Sequence, residues 1–138
     1  MRKRTKAREL ALQILYQADV TRSGYDQVLK SFWESGEHDQ AGDEVKDFTV
    51  SLVKGVADNL KDIDAKIKEY AANWQLERMA FIDRNILRLG AYELLLRDDI
   101  PPKVSINEAV ELAKKYSAQE SSKFVNGILD KVKAKKEE

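Results

Sequence analysis

The chain has 138 residues, 43% hydrophobic and 35% charged, the size and balance of one compact soluble domain able to bury a core. It has no cysteine, which excludes disulfides, zinc–thiolate sites and a cysteine nucleophile. No apolar run approaches the roughly 20 residues of a membrane span. Positive and negative residues balance at 24 each, yet five cations and no acid fall within the first eight residues. A neutral protein with one basic end can hold a polyanion there without coating itself in it.

Nearly every segment has a helical period. Ala7, Leu10, Ala11, Ile14, Leu15 and Ala18 make one wide apolar face, which predicts a first helix over roughly residues 4 to 20. The basic start runs into this helix and not into an uninterrupted apolar segment, so it is not read as a secretory signal. Tyr25, Val28, Leu29 and Phe32 mark a second helix that closes near Gly36. The stretch EHDQAGD is a polar linker. Val45, Phe48, Leu52, Val53, Val56 and Leu60 predict a third helix, and Ile63, Ile67 and Tyr70 a short fourth after a bend near Asp62.

NWQLERMAF is less regular. It leads into the strongest helix, with Ile82, Ile86, Leu89, Tyr92, Glu93 and Leu96 near one side. Pro101 and Pro102 are expected to stop it. Ser105 to Glu108 has the form of a capping box for the next helix, whose apolar face is Ile106, Ala109, Val110 and Ala113. Ser121 or Ser122 is expected to cap the last helix, which buries Val125, Ile128, Leu129 and Val132. Gly127, within that helix, is expected to permit a close helix crossing, despite a cost of about 1 kcal/mol relative to alanine. No strand pattern survives. The fold class is all-α, about seven helices in two small packed bundles of a single domain, one spanning about residues 1–60 and the other about 61–138, with the division falling near residues 60 to 75.

Residues that could carry catalysis are missing. His38, the single histidine, sits in the polar linker as a solvated side chain, with no metal ligand set around it. There is no phosphate loop, dinucleotide fingerprint or nucleophile elbow. Asp98-Asp99 and Asp43-Glu44 are neighbours in sequence whose members point apart on a helix. The chain is read as a non-enzyme without metal or cofactor.

Three features could bind a partner. Arg2, Lys3, Arg4, Lys6 and Arg8 could displace the counterions of a nucleic acid; the charges alone leave open a solvated tail. Lys123 and Phe124, with Tyr116, could form a stacking platform for an unpaired base; spacing alone favours peripheral core for both rings. Glu77 to Arg84, with Tyr16, could form a protein-binding surface; composition alone favours a solvated helix start.

From end to end the chain resembles the NusB family of bacterial transcription antitermination factors. The resemblance is carried by the basic start MRKRTKARELALQILYQ, by Asp83-Arg84-Asn85-Ile86-Leu87-Arg88, by Ala91-Tyr92-Glu93-Leu94, by Asp99-Ile100-Pro101, by Ile106-Asn107-Glu108-Ala109 with Glu111-Leu112-Ala113-Lys114, and by Lys123-Phe124-Val125-Asn126-Gly127. It is weakest from Gly24 to Asp43. The order and spacing of these pieces are far more specific than any one of them.

The resemblance implies an all-helical cytoplasmic protein without enzymatic activity. It implies binding of boxA RNA as a heterodimer with NusE, a small-subunit ribosomal protein, and joint action with other Nus factors on RNA polymerase in ribosomal RNA operons. By position, it places RNA contacts on Arg2, Lys3, Arg4, Lys6, Arg8, Lys103, Tyr116, Glu120, Lys123 and Phe124, with Phe124 stacking. It places NusE contacts on Tyr16, Glu77 and Asp83. Tyr116 stands where phenylalanine is frequent, Glu120 where aspartate is common, and Asp83 where some members have glutamate.

The competing reading is a protein-interaction module whose basic end is merely solvated and which reads no RNA sequence. Homodimerisation over the RNA-binding surface is a third. Similar helical modules open an RNA methyltransferase family; the terminal KAKKEE is expected to leave no catalytic domain after it.

Overall fold

The computed structural model describes residues 2–71 and 75–137 of the chain, with side chains to residue 134. It is all-helical, with seven α-helices and no strand among the described residues. These are α1 (Lys3–Thr21), α2 (Tyr25–Glu34), α3 (Asp43–Asp58), α4 (Leu60–Tyr70), α5 (Phe81–Leu96), α6 (Pro102–Tyr116) and α7 (Gln119–Glu137). Short 3-10 turns at Asp39–Ala41 and Leu76–Arg78 punctuate the connections. The chain divides into two compact units, Met1–Asp58 and Asn59–Glu138.

In the first unit α1 packs on α3 and α2. All six residues of the apolar face read from the sequence are buried. Burial goes further than that stripe, because Arg8, Glu9 and Leu12 are also inside. Helix α1 ends at Arg22 in the left-handed conformation, whose amide bonds the Ala18 carbonyl, the usual way of closing a last turn. A satellite of Phe32, Trp33, Ala41 and Phe48 covers Ala7, Leu10 and Val45. His38 belongs to this satellite: its ring stacks on Phe32 at 4.1 Å. The solvated histidine expected from the polar linker is therefore half-buried, because the 3-10 turn folds the linker back over the aromatic cluster.

The second unit is organised around α5, which packs against α4, α6 and α7. Every residue from Asn85 to Leu94 is buried, as expected of a helix surrounded by others. Polar groups on it are satisfied locally. Arg88 forks onto Asp64 of α4, with Nε to Oδ1 at 2.8 Å and Nη2 to Oδ2 at 3.0 Å. Asn85 donates to the Phe81 carbonyl at 2.8 Å and accepts from Arg88 at 3.3 Å. Glu93 accepts from Ser105 of α6 at 2.9 Å.

That last bond overturns the capping box. Helix α6 starts at Pro102, with Pro101 as its N-cap. A proline at the first helical position needs no amide partner and has its φ preset, so the helix begins a turn before Ser105. Ser105 is buried inside the helix and serves the core. The two prolines likewise do not stop α5, which ends at Leu96. The chain then turns through Arg97, whose Nε and Nη2 clasp Asp99 at 2.9 and 2.8 Å, a fork that pushes the guanidinium pKa up. Helix α7 starts at Gln119, before the serines expected to cap it. Ser122 bonds back to the Gln119 carbonyl at 2.7 Å.

The third and fourth helices part at Asn59, which has a non-helical ψ of 17°, and not near Asp62. Leu60 thereby belongs to α4. Gly127 lies within α7 as expected, but it is exposed and a Cβ there would meet nothing within 4 Å. The close crossing is made by Gly90 of α5 instead. Of the irregular segment before α5, Asn73 and Trp74 lie outside the described residues.

Candidate nucleic-acid and partner interfaces

The basic start is built by the first turn of α1. Arg2 is its N-cap, and the turn contains no acid. Arg2, Lys3 and Arg4 are exposed, Lys6 is half-buried, and Arg8 is 2% exposed. The difference follows from helical phase, because Arg8 lies one turn further in, where α1 meets α3. Its guanidinium stands 5.5 Å from the Phe48 ring centroid, and that of Arg4 covers the same ring at 4.4 Å. Cations over an aromatic face are attracted by its quadrupole, so Phe48 fixes the direction of Arg4. Phe48 was read from the sequence as a core residue of the third helix. The structure leaves it half-buried, where it lines a pocket together with Lys3, Arg4, Glu44, Asp47 and Ser51.

Lys3 pairs with Glu44 of α3 at 2.8 Å. The hydrogen bond between them holds the Glu44 carboxyl below its usual range and raises the Lys3 ammonium. One cation of the cluster is thus engaged by an acid.

In the second unit, the residues expected to touch RNA fall into two places. Tyr116 closes α6 and is 38% exposed, with Lys115 Nζ 5.4 Å from its ring centroid. After the turn at Ser117 and Ala118, Glu120, Lys123 and Phe124 follow at helical positions i, i+3 and i+4 of α7, which puts them on one side of that helix. Glu120 and Lys123 are exposed and Phe124 is half-buried. Lys103 is not among them. It is exposed at the opposite end of α6, about 20 Å from Tyr116 by helical rise.

The residues expected to meet a protein partner are also divided. Tyr16, on α1 in the first unit, is 42% exposed. Glu77, in the second, is exposed on the 3-10 turn and pairs with Lys68 at 2.9 Å. Lys68 holds the Glu77 carboxyl below its usual range. Asp83 is half-buried in the first turn of α5. Its Oδ1 accepts from Ser117 at 2.6 Å and its Oδ2 from Ser121 at 3.1 Å. The two hydroxyls lie 3.1 Å apart. Its neighbour Arg84 donates to the carbonyls of Leu76 and Glu77, both at 3.4 Å, and lies over the Phe81 ring at 4.4 Å.

Ser117 escaped the sequence reading, and Ser121 was read only as a candidate cap of the last helix. Their spacing of four residues straddles the start of α7, and nothing in the sequence says that an acid 34 residues upstream of Ser117 meets them. Among the described residues no group of three or more His, Asp or Glu could hold a metal ion, and no helix is long and apolar enough to cross a membrane.

The chain matches the NusB family over residues 5–134. It is 52% identical over 130 residues to the transcription antitermination protein NusB of Anaeromyxobacter dehalogenans, covering 94% of this chain and 89% of that one. It is 48% identical over 130 residues to the NusB of Myxococcus xanthus, covering 94% and 93%. Among solved structures it is similar to T. maritima NusB, with a TM-score of 0.82 and 37% identity over 95% of this chain and 90% of that one. It is also similar to a chain in a crystal structure of antitermination factors NusB and NusE in complex with double-stranded RNA, with a TM-score of 0.87 and 27% identity over 98% of each chain. With the resemblance carried by the sequence motifs thus met by whole-chain matches, the protein belongs to the NusB family of transcription antitermination proteins, which are not enzymes.

Proposed function

We propose that this protein binds boxA RNA together with NusE, and with other Nus factors on RNA polymerase keeps transcription of ribosomal RNA operons from terminating in the cytoplasm. The observation that carries the RNA reading is the first turn of α1. Its N-terminal end bears the positive pole of the helix dipole, where acids stabilise and cations do not. This turn nevertheless carries Lys3, Arg4 and Lys6 beside Arg2, and no acid. A local choice that disfavours the helix and concentrates positive potential is expected at a functional site, and a polyanion relieves it.

In this reading Arg2, Lys3, Arg4 and Lys6 of the first unit contact phosphates, and Arg8 supports Phe48 from inside. Tyr116, Glu120, Lys123 and Phe124 form the edge that receives an unpaired base, while Lys103 reaches a more distant phosphate. Tyr16, Glu77 and Asp83 belong to the NusE surface. The likeness to a chain from a NusB–NusE–RNA crystal structure supports both partners.

The test is binding of a fluorescent boxA RNA and a scrambled RNA at two salt concentrations, with and without NusE. Expected is boxA-preferring binding that NusE strengthens, weakening with salt at a log–log slope of about −0.7 per neutralised phosphate. Equal, weak binding to both RNAs, unmoved by NusE, would leave the protein an interaction module that reads no RNA sequence.

A further inference from the structure

The first turn of α5 holds two segments at once. Asp83 accepts from Ser117 at the end of α6 and from Ser121 in the first turn of α7. Arg84, the next residue, holds the 3-10 turn that carries Glu77, through the carbonyls of Leu76 and Glu77. Hydrogen bonds from a hydroxyl to a carboxylate are shorter and stronger than neutral ones, about 2.5–2.7 Å, and the Ser117 bond to Asp83 is 2.6 Å long. Asp83 bridges two helices through both of its oxygens, and a turn of two residues, Ser117 and Ala118, joins those helices. Removing the hydroxyls takes away side-chain bonds that fix the start of α7 against α5. Glu120, Lys123 and Phe124 lie within the first six residues of α7, so they are the residues such a loosening would displace.

We infer that Ser117 and Ser121 are positioning residues for the RNA-binding edge, and that the Asp83–Arg84 pair couples that edge to the partner surface around Glu77. The inference rests on the boxA and NusE reading above. A partner that packs on the Glu77 turn bears on Arg84 and through the shared helical turn on Asp83, so it biases the α6–α7 turn toward one arrangement. Coupling through a packed element of this kind is typically worth about 5–150-fold in affinity. The serines need touch neither RNA nor partner. This differs from a purely structural role, because the quantity at stake is the ratio of RNA affinities with and without NusE.

The test compares wild type, S117A/S121A and S117T/S121T, all with Asp83 intact. In the free proteins, amide hydrogen exchange is measured over residues 117–125. In S117A/S121A it is expected to speed up there by about thirtyfold, the fold-change that follows from losing two bonds of about 1 kcal/mol each. In S117T/S121T, which restores the hydroxyls, it is expected to return to the wild-type rate. Fluorescent boxA RNA is then titrated with and without NusE. With NusE at saturating concentration, S117A/S121A is expected to bind RNA about three- to tenfold more weakly and to lose most of the NusE enhancement; S117T/S121T is expected to recover it. Unchanged exchange in S117A/S121A overturns the inference whatever the RNA data show. So does changed exchange with an undiminished NusE enhancement, since the serines would then be structural only. If wild type itself neither prefers boxA nor responds to NusE, the functional reading fails and the coupling fails with it, while the exchange data still report the clamp separately.

Discussion

A Cβ on Gly90 would stand 2.7 Å from Cδ1 of Leu129 and 3.3 Å from its Cδ2, so it is the bare backbone of α5 that lets α7 lie against it. Leu129 is fully buried, and Ala109 of α6 closes the same site at 3.4 Å. Gly127, two residues before Leu129, has open space around its α-carbon.

The two glycines therefore respond to alanine with opposite signs. Gly127→Ala should stabilise by about 0.5–1 kcal/mol, the helix-propensity gain alone. Gly90→Ala gains the same propensity but overpacks the crossing, at about 1–3 kcal/mol, and should be net destabilising. Urea unfolding of the two variants checks the contrast, and a stabilised Gly90→Ala would show that Leu129 has room to withdraw.

The Arg88–Asp64 pair is mostly shielded, with side chains 9% and 20% exposed. Removing one member of a wholly buried pair costs about 3–5 kcal/mol, and the partial exposure of Asp64 lowers the expectation for Asp64→Ala to about 2–3 kcal/mol. The unfolding midpoint in urea should fall with no change in the slope.

Replacing Arg2, Lys3 and Arg4 by glutamine should weaken boxA and scrambled RNA alike, because phosphate contacts position and do not specify. The log–log salt slope should become shallower by about 2, three contacts at about 0.7 each. A slope that does not move would make the basic start a solvated tail.

Phe124→Ala should cost about 1–3 kcal/mol of boxA binding, the worth of one stacked base. The ring is half-buried, so a thermal melt must accompany the titration. A variant that melts as wild type and binds with undiminished affinity removes Phe124 from the RNA edge.

Glu44 engages Lys3, so Glu44→Gln should free a cation and tighten RNA binding, by no more than about fivefold for one exposed pair. The pH dependence has the matching sign. The Glu44 carboxyl titrates below its usual 4.5 in the folded state, so the pair's contribution to folding is present above that value and is lost as pH falls through the lowered one. The Lys3 ammonium is raised above 10.5, so the contribution is complete below 10.5 and is lost as pH rises through the raised value. Thermal melts of wild type and Glu44→Gln, followed from pH 7 downward, check this, since the difference between them should persist at pH 4.5 and shrink only below it.

Most of the helices were legible in the chain because each buries at least one apolar stripe, and a 3.6-residue period writes that stripe into the sequence. The face of α1 and the burial of Val125, Ile128, Leu129 and Val132 on α7 were readable on those grounds. The basic start was readable too, since charge density needs no fold. What the sequence could not contain is which neighbour a residue meets. Ser105 has the spacing of a cap and becomes a core donor to Glu93 because Pro102 starts α6 a turn early. Gly127 carries the family motif, yet Gly90 makes the close crossing, because the direction from which a helix is approached is set by packing. Arg8 follows Arg4 by one turn and is buried where Arg4 is exposed. Asp83 finds Ser117 and Ser121 only when α5, α6 and α7 meet. Periodicity is a property of one helix read alone; contact across helices is a property of their packing, and only the tertiary structure decides it.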